Sequence, residues 1–237
     1  MILKTNLHFH TGDDPEDSLG YDTKEGIDKA SELGFDVLAL TCHNKVIHTK
    51  EYEKYATSKG ILLISGIELN VGEEEKEYRH LIVLNCSKDA EKIDTFADLE
   101  KYKKNNPEIF VLAPHPYYPG IVRKTSLMEY AEMYSHLFDA IEHSWFYSKH
   151  INRNKPAEKL SKKVGLPMVA TSDTHFFDFL DTDYCLIEAR EKTPRAVFEG
   201  IRRGSFKNVS RPKKLIREMS LCYGSYLFKK VLRSMRN

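Results

Sequence analysis

Short apolar runs rich in Val, Ile and Leu recur along the chain, and the segments between them carry apolar residues at helical spacing. The runs predict strands at 4–9, 35–41, 61–68, 80–85, 109–113, 138–143, 166–171 and 184–189. Helices are predicted over 23–33, 49–59, 95–104, 125–136, 152–164 and 194–203, the first opening after the capping residue Asp22 and stopping at Gly34. Seven or eight strands alternating with helices predict βα units, a mostly parallel sheet and closure into a barrel. An open doubly wound sheet is the rival, but no GxGxxG follows the first strand, and no GxxxxGK followed by Ser or Thr occurs anywhere. A chain of 237 residues accommodates one such domain, expected over 1–210, with an extension over 211–237.

The polar residues that interrupt this pattern fall at the ends of the apolar runs, where a βα barrel carries its chemistry. In Asn6-Leu7-His8-Phe9-His10 the i, i+2 spacing puts two imidazoles on one face of a strand. The run 35–41 ends in Cys42-His43-Asn44, 61–67 in Glu68, and 109–113 in Pro114-His115-Pro116. Residues 138–142 run into His143, and 167–171 end in Ser172-Asp173-Thr174-His175. Six strand ends that each present a side chain able to bind metal point to a metal centre. His48, His136 and His150 fall in loops or helices and read as ordinary surface histidines.

Charge adds one feature to this picture. Residues 202–237 hold eleven of the 36 basic residues and one of the 35 acids, leaving the first 201 residues about nine charges negative. The segment 213–236 also has apolar residues at helical spacing, read as one helix interrupted near Gly224, which more often docks on its own domain than on a membrane or a partner. No apolar run is long enough to cross a membrane, and the start lacks the features of a signal peptide. Cys42, Cys86, Cys185 and Cys222 are scattered without a CxxC. A cytoplasmic protein with reduced thiols is therefore expected.

In their order and combination these residues resemble the PHP (polymerase and histidinol phosphatase) domain family. His8-x-His10-Thr11 is similar to its first motif, Leu40-Thr41-Cys42-His43 to its second, Gly66-Ile67-Glu68 with a downstream His to its third, and Ser172-Asp173-Thr174-His175 to its last. The resemblance spans about residues 6 to 210 and implies a distorted (β/α)7 TIM-like barrel holding two or three divalent ions, Mn, Zn or Fe. It implies one ion on His8, His10, Glu68 and Asp173; a second on His43, His175 and an acid of the first loop; and a third on Glu68, His80 and His115. For the loop acid the family's spacing points near Asp17, with Asp13 and Asp14 as alternatives. His80 precedes its apolar run, the wrong end of a parallel strand for a ligand. Asn6 and Cys42 stand where the family often has Asp, and losing a carboxylate beside a ligating imidazole makes that ligand less basic.

These residues lead to an expected function: hydrolysis of a phosphate ester by a metal-activated hydroxide, with Asp173 or His143 managing protons. Arg123, Lys124 and Arg79 are the candidate phosphate-binding cations, and a phosphorylated small molecule or nucleotide is the expected substrate. The alternative is a nucleic-acid-processing phosphodiesterase or binding module, its tail gripping phosphates through Arg211, Lys213, Lys214, Arg217, Lys229 and Lys230. An amidohydrolase is less favoured because no lysine stands at a strand end to bridge metals. A barrel holding metal only for stability is disfavoured as well, since a structural site would need only four ligands. The physiological substrate and the oligomeric state are not legible in the sequence.

Overall fold

The structure, a computed structural model, describes residues 1–72, 79–117 and 127–213. The candidates Arg123 and Lys124, and the extension from residue 214 onward, lie outside the described residues. The elements are β1 (Ile2–Phe9), α1 (Thr23–Glu32), β2 (Val37–Leu40), α2 (Lys50–Ser58), β3 (Leu62–Val71), β4 (Arg79–Leu84), α3 (Phe96–Asn105), β5 (Phe110–Ala113) and α4 (Met128–Met133). They continue with β6 (Ala140–His143), α5 (Asn154–Val164), β7 (Met168–Ala170), α6 (Phe177–Leu180), β8 (Asp183–Glu188), α7 (Pro194–Arg202) and β9 (Phe206–Ser210). Helix starts follow local chemistry. Asp22 and Glu25 form a reciprocal capping box on α1, Thr95 and Asp98 form another on α3, and Thr193 caps α7 ahead of a proline in its first turn.

The strands form one sheet in the order β7-β6-β5-β4-β3-β2-β1-β8-β9, curled into a nearly closed, distorted barrel. The expectation of a mostly parallel sheet is corrected, since four of the described pairings are parallel and four antiparallel. Only about eleven residues separate the third and fourth predicted runs, too few for a helical crossover, so β4 returns antiparallel to β3. β9 was not among the expected strands. Its sequence, Phe-Lys-Asn-Val-Ser, is too polar to register as an apolar run.

Two apolar layers sandwich the sheet. Leu3, Val37, Ala39, Ile64, Ile82, Leu84, Phe110, Leu112 and Ala140 fill the interior, and Val197, Phe198 and Ile201 of α7 close one end of it, Phe198 stacking on Phe110 at 4.8 Å. On the outside, Leu81, Val83, Val111, Ala113 and Ile141 pack against Phe96 and Leu99 of α3 and Ala157 and Leu160 of α5. The opposite end of the interior, at the C-termini of the parallel strands, is left for polar side chains. Among the described residues no helix is long and apolar enough to cross a membrane.

The terminal strands β7 and β9 share no backbone ladder, and a side chain stitches them together instead. The Ala170 amide donates to Asn208 Oδ1 at 2.9 Å, and Asn208 Nδ2 donates to the Met168 carbonyl at 2.8 Å, imitating one rung of a strand pairing. Asn208→Ala removes both bonds and leaves the two backbone groups without those partners. We expect it to lower unfolding free energy by about 1–3 kcal/mol, read as a reduced urea midpoint at unchanged m-value.

Candidate metal centre

Glu68, 1% exposed, is the hub of the polar end. Its Oε2 lies 3.3 Å from His8 Nε2 and 3.2 Å from the Nε2 atoms of His10 and His43. Its Oε1 lies 2.8 Å from His80 Nδ1 and 3.2 Å from His115 Nε2. One carboxylate thus faces five imidazoles, with a different oxygen toward each group. His80 belongs to this set because β4 runs antiparallel. In the β3–β4 register Asn70 pairs with His80, so the start of β4 lies beside the end of β3, and the objection to His80 as a ligand disappears. Gly66 allows the close approach of strands just before Glu68, since a Cβ there would stand 2.8 Å from the Leu40 carbonyl oxygen.

The far ring nitrogens are tethered. Asp14 Oδ2 accepts from His10 Nδ1 at 2.9 Å, from His43 Nδ1 at 3.0 Å and from the His43 amide at 2.9 Å. His175 Nδ1 donates to the Asp173 carbonyl at 2.9 Å, and its Nε2 lies 2.8 Å from Asp17 Oδ2. Glu142, which the sequence reading passed over as a ligand-class residue, places Oε2 2.9 Å from His8 Nδ1. A charged residue at an inward position of an otherwise apolar strand was the signal. Asn6 does not contact the His8 ring through these bonds: its Oδ1 accepts from the His8 amide at 3.2 Å, and its Nδ2 donates to Ser172 Oγ.

Backbone strain accompanies the site. Asn44, His115 and Asp173 have φ of +51°, +23° and +42°, the left-handed region that non-glycine residues rarely enter. All three stand at strand ends around the cluster.

Ionisation is displaced throughout. Burial alone would lower the histidines, but the carboxylates of Asp173, Glu68 and Glu142 overturn it for His8, pushing its pKa up to about 10. His10, His43 and His115 are raised against the same burial penalty by Asp14, Glu68 and other neighbouring carboxylates. For His80 burial prevails over Glu68 and the pKa falls. Burial would raise the acids, yet the surrounding histidines hold Glu68 and Asp173 well below the usual carboxylate range and Asp14 and Asp17 lowered too. Cys42 is simply a buried thiol, pushed up to about 12 by desolvation.

The donor set fits divalent cations. With Nδ1 of His8 and His10 donating to carboxylates, their Nε2 lone pairs face each other at 3.0 Å and face Glu68 as well, an arrangement of acceptors that repels unless protons or a cation lie between. His8 Nε2, His10 Nε2, Glu68 Oε2 and Asp173 Oδ1 are separated by 3.0, 3.3, 3.2, 3.3 and 3.4 Å over five of their six pairs. Four ligand atoms about 2.0–2.1 Å from a tetrahedral ion stand ~3.3 Å apart. His80 Nδ1 touches Glu68 Oε1 without the alignment of a hydrogen bond, which leaves its lone pair available.

The expected site residues divide as follows. His8, His10, His43, Glu68, His80, His115, Asp173, His175 and Asp17 are brought together, and four groups of His, Asp and Glu among the described residues are close enough to share an ion. Of the loop acids, Asp14 joins Asp17, whereas Asp13 is engaged by Thr23 at 2.6 Å and Tyr52 at 3.0 Å. Arg79, offered as a phosphate ligand, is 5% exposed with its guanidinium 3.6 Å from the Tyr130 ring centroid, on the outer side of β4 with Leu81 and Val83. His143 alternates away from Glu142 on β6, its ring edge-on to Tyr147 at 5.3 Å. Lys213, expected among the cations of the tail, is buried in an ion pair with Asp183. His136 and His150 are exposed, as expected, but His48 is half-buried.

A barrel with a cluster of histidines and carboxylates able to hold metal at its strand ends belongs to the class of metal-dependent hydrolase folds. The PHP domain model matches residues 6–151 and the PHP-associated model residues 152–206, so the chain belongs to the PHP family. It is 26% identical over 188 residues to the DNA polymerase III subunit alpha of Treponema pallidum (strain Nichols), covering 65% of this chain and 16% of that subunit, about a sixth of its length. Among solved structures it resembles a two-domain Bacteroides vulgatus protein containing a PHP-like metal-dependent phosphoesterase, with TM-score 0.67, 19% identity and coverage of 89% of this chain and 65% of that one. A lesion-specific endonuclease of Pyrococcus furiosus shares the fold at TM-score 0.59 and 13% identity, over 88% of this chain and 58% of that one.

Protons and metal compete for the same ring nitrogens. Because the pKa of His8 is raised to about 10, and those of His10, His43 and His115 are also raised, protons oppose metal well above neutrality, and metal binding displaces them. Apparent zinc affinity is expected to rise steadily from pH 6 to pH 9, with protons released on loading. Titration in weakly buffered indicator dye reads both, and affinity that is flat with pH contradicts the arrangement.

Proposed function

We propose that this chain hydrolyses a phosphate ester with two or three divalent ions held by His8, His10, Asp17, His43, Glu68, His80, His115, Asp173 and His175. The observation that carries this reading is the split engagement of Glu68, one oxygen toward His8, His10 and His43 and the other toward His80 and His115. A carboxylate so divided suits bridging between cations, which need negative charge between them. Charge balance supports the ion count. Once metal has displaced the imidazole protons, Glu68, Asp14, Asp17, Asp173 and Glu142 leave five carboxylate charges that two or three dications would bring close to neutrality.

When bound, the ions would polarise the phosphoryl oxygens and supply a nucleophilic water at neutral pH. The protein's own part is positioning and proton handling. Asp173 presents Oδ1 to His8 and His10 while Oδ2 accepts from Trp145 Nε1 at 3.4 Å, which orients the carboxylate. Its depressed pKa keeps it ionised and able to accept a hydrogen bond from water, though it makes the carboxylate a weak base. With His143 packed on Tyr147, Asp173 is the one of the two expected proton-handling residues that stands in the cluster. A small open cleft beside the centre is lined by His115, Tyr117, Phe146, Arg153 and Asn154, and Arg153 is the described cation we assign to the substrate phosphate.

The test pairs elemental analysis with turnover. Purified protein should retain two to three ions per chain and, reloaded with Mn or Zn, release phosphate from some member of a panel of monoesters and nucleotides. Loaded protein that spares every monoester but cuts DNA or a diester favours the nuclease reading instead, and protein that takes up no metal overturns both. Glu68→Gln and His43→Ala are expected to stay folded by circular dichroism, lose bound metal, and lose turnover by on the order of 100-fold or more. Full activity in either contradicts the roles assigned.

A further inference from the structure

Glu142 lies on the interior side of β6, fully buried, and it touches the cluster from below. Its Oε2 is 2.9 Å from His8 Nδ1, while its Oε1 is buried without a hydrogen-bond partner. A carboxylate in such a place is expensive to keep, because a buried acceptor without a partner costs about 1–3 kcal/mol and more when charged. Its ladder neighbour on β7, Val169, is apolar and offers the free oxygen no partner.

Asn6, the nearby polar side chain on the same strand, is committed to the backbone of His8 and to Ser172 rather than to the His8 ring. We propose that Glu142 is a positioning residue of the metal centre: from β6 it holds His8 as the Nδ1–H tautomer, and so aims the Nε2 lone pair at the ion shared with His10, Glu68 and Asp173. The inference rests on the metal reading above. It assigns Glu142 the part for His8 that Asp14 takes for His10 and His43, so that every Nε2 directed at Oε2 of Glu68 is backed by a carboxylate on the far nitrogen.

Metal retention, not turnover, tests it. Zinc-loaded wild type and Glu142→Gln are challenged with a competing chelator, and their apo forms are compared by thermal melting. The variant is expected to release zinc about 10–100-fold more readily, with an apo melting temperature no lower than wild type, because an uncharged amide replaces a buried carboxylate. Release within twofold of wild type overturns the proposal. So does a loss of apo stability matched by no extra loss of zinc. Should the variant fail to fold, long-range proton–nitrogen correlation spectra of zinc-loaded wild type decide the matter. A His8 signal protonated at Nδ1 and metallated at Nε2 is expected, and the opposite tautomer overturns the proposal. Wild type that binds no zinc fails the underlying metal reading, whereas zinc-binding wild type with an indifferent Glu142→Gln fails this inference alone.

Discussion

A single buried carboxylate facing five imidazoles organises this molecule. Charges about 4 Å apart interact by about 4 kcal/mol at the effective dielectric of a protein site, so the arrangement around Glu68 has a sign that the rest of the structure must satisfy. Were all the rings protonated, one carboxylate could not compensate them. Were all neutral with their lone pairs pointed at it, the acceptors would repel. Asp14, Asp17, Asp173 and Glu142 resolve the conflict by fixing rings from behind or beside, and with Glu68 they hold His8, His10 and His43 at raised pKa in the absence of cations. The same concentration of carboxylate is what makes the cluster receptive to divalent ions.

The barrel exists in the form that lets these groups meet. Parallel β1, β2, β5, β6 and β7 deliver His8, His10, His43, His115, Glu142 and Asp173 at or near one rim. A ligand from β4 requires the opposite strand direction, and the antiparallel β3–β4 ladder provides it by setting His80 against Asn70. Departure from regular βα repetition is therefore part of how the site is built. The positive φ values at His115 and Asp173 are the local counterpart, at strand exits whose side chains reach the cluster. At the other rim, α7 plugs the interior with Val197, Phe198 and Ile201, so the apolar half stabilises and the polar half is free for chemistry.

Much of this was legible in the chain. Val, Ile and Leu runs located eight of the nine strands, and the helix starts at Asp22, Thr49, Thr95 and Thr193 follow capping chemistry that needs only neighbouring residues. The histidines and acids at strand ends were visible for the same reason, because strand exit is a local property and an i, i+2 pair shares a face whatever the fold around it. β9 escaped notice because its role is to seal the barrel through Asn208, a contact with β7 that no local pattern announces.

By itself the sequence determined the βα alternation, the apolar layers and the set of residues able to ligate metal, all of which follow from periodicity and side-chain chemistry. Only the tertiary structure decided which of those residues meet. It reversed β4 and so admitted His80, turned Asp13 outward and Asp14 inward, sent His143 to Tyr147, and committed Arg79 to Tyr130 and Lys213 to Asp183. The physical reason is that the face a loop acid turns inward and the partner a buried charge takes depend on residues brought together by the fold, such as His43 for Asp14, Tyr130 for Arg79 and Asp183 for Lys213. A carboxylate such as Glu142 acquires its meaning only when His8, 134 positions away, arrives beside it.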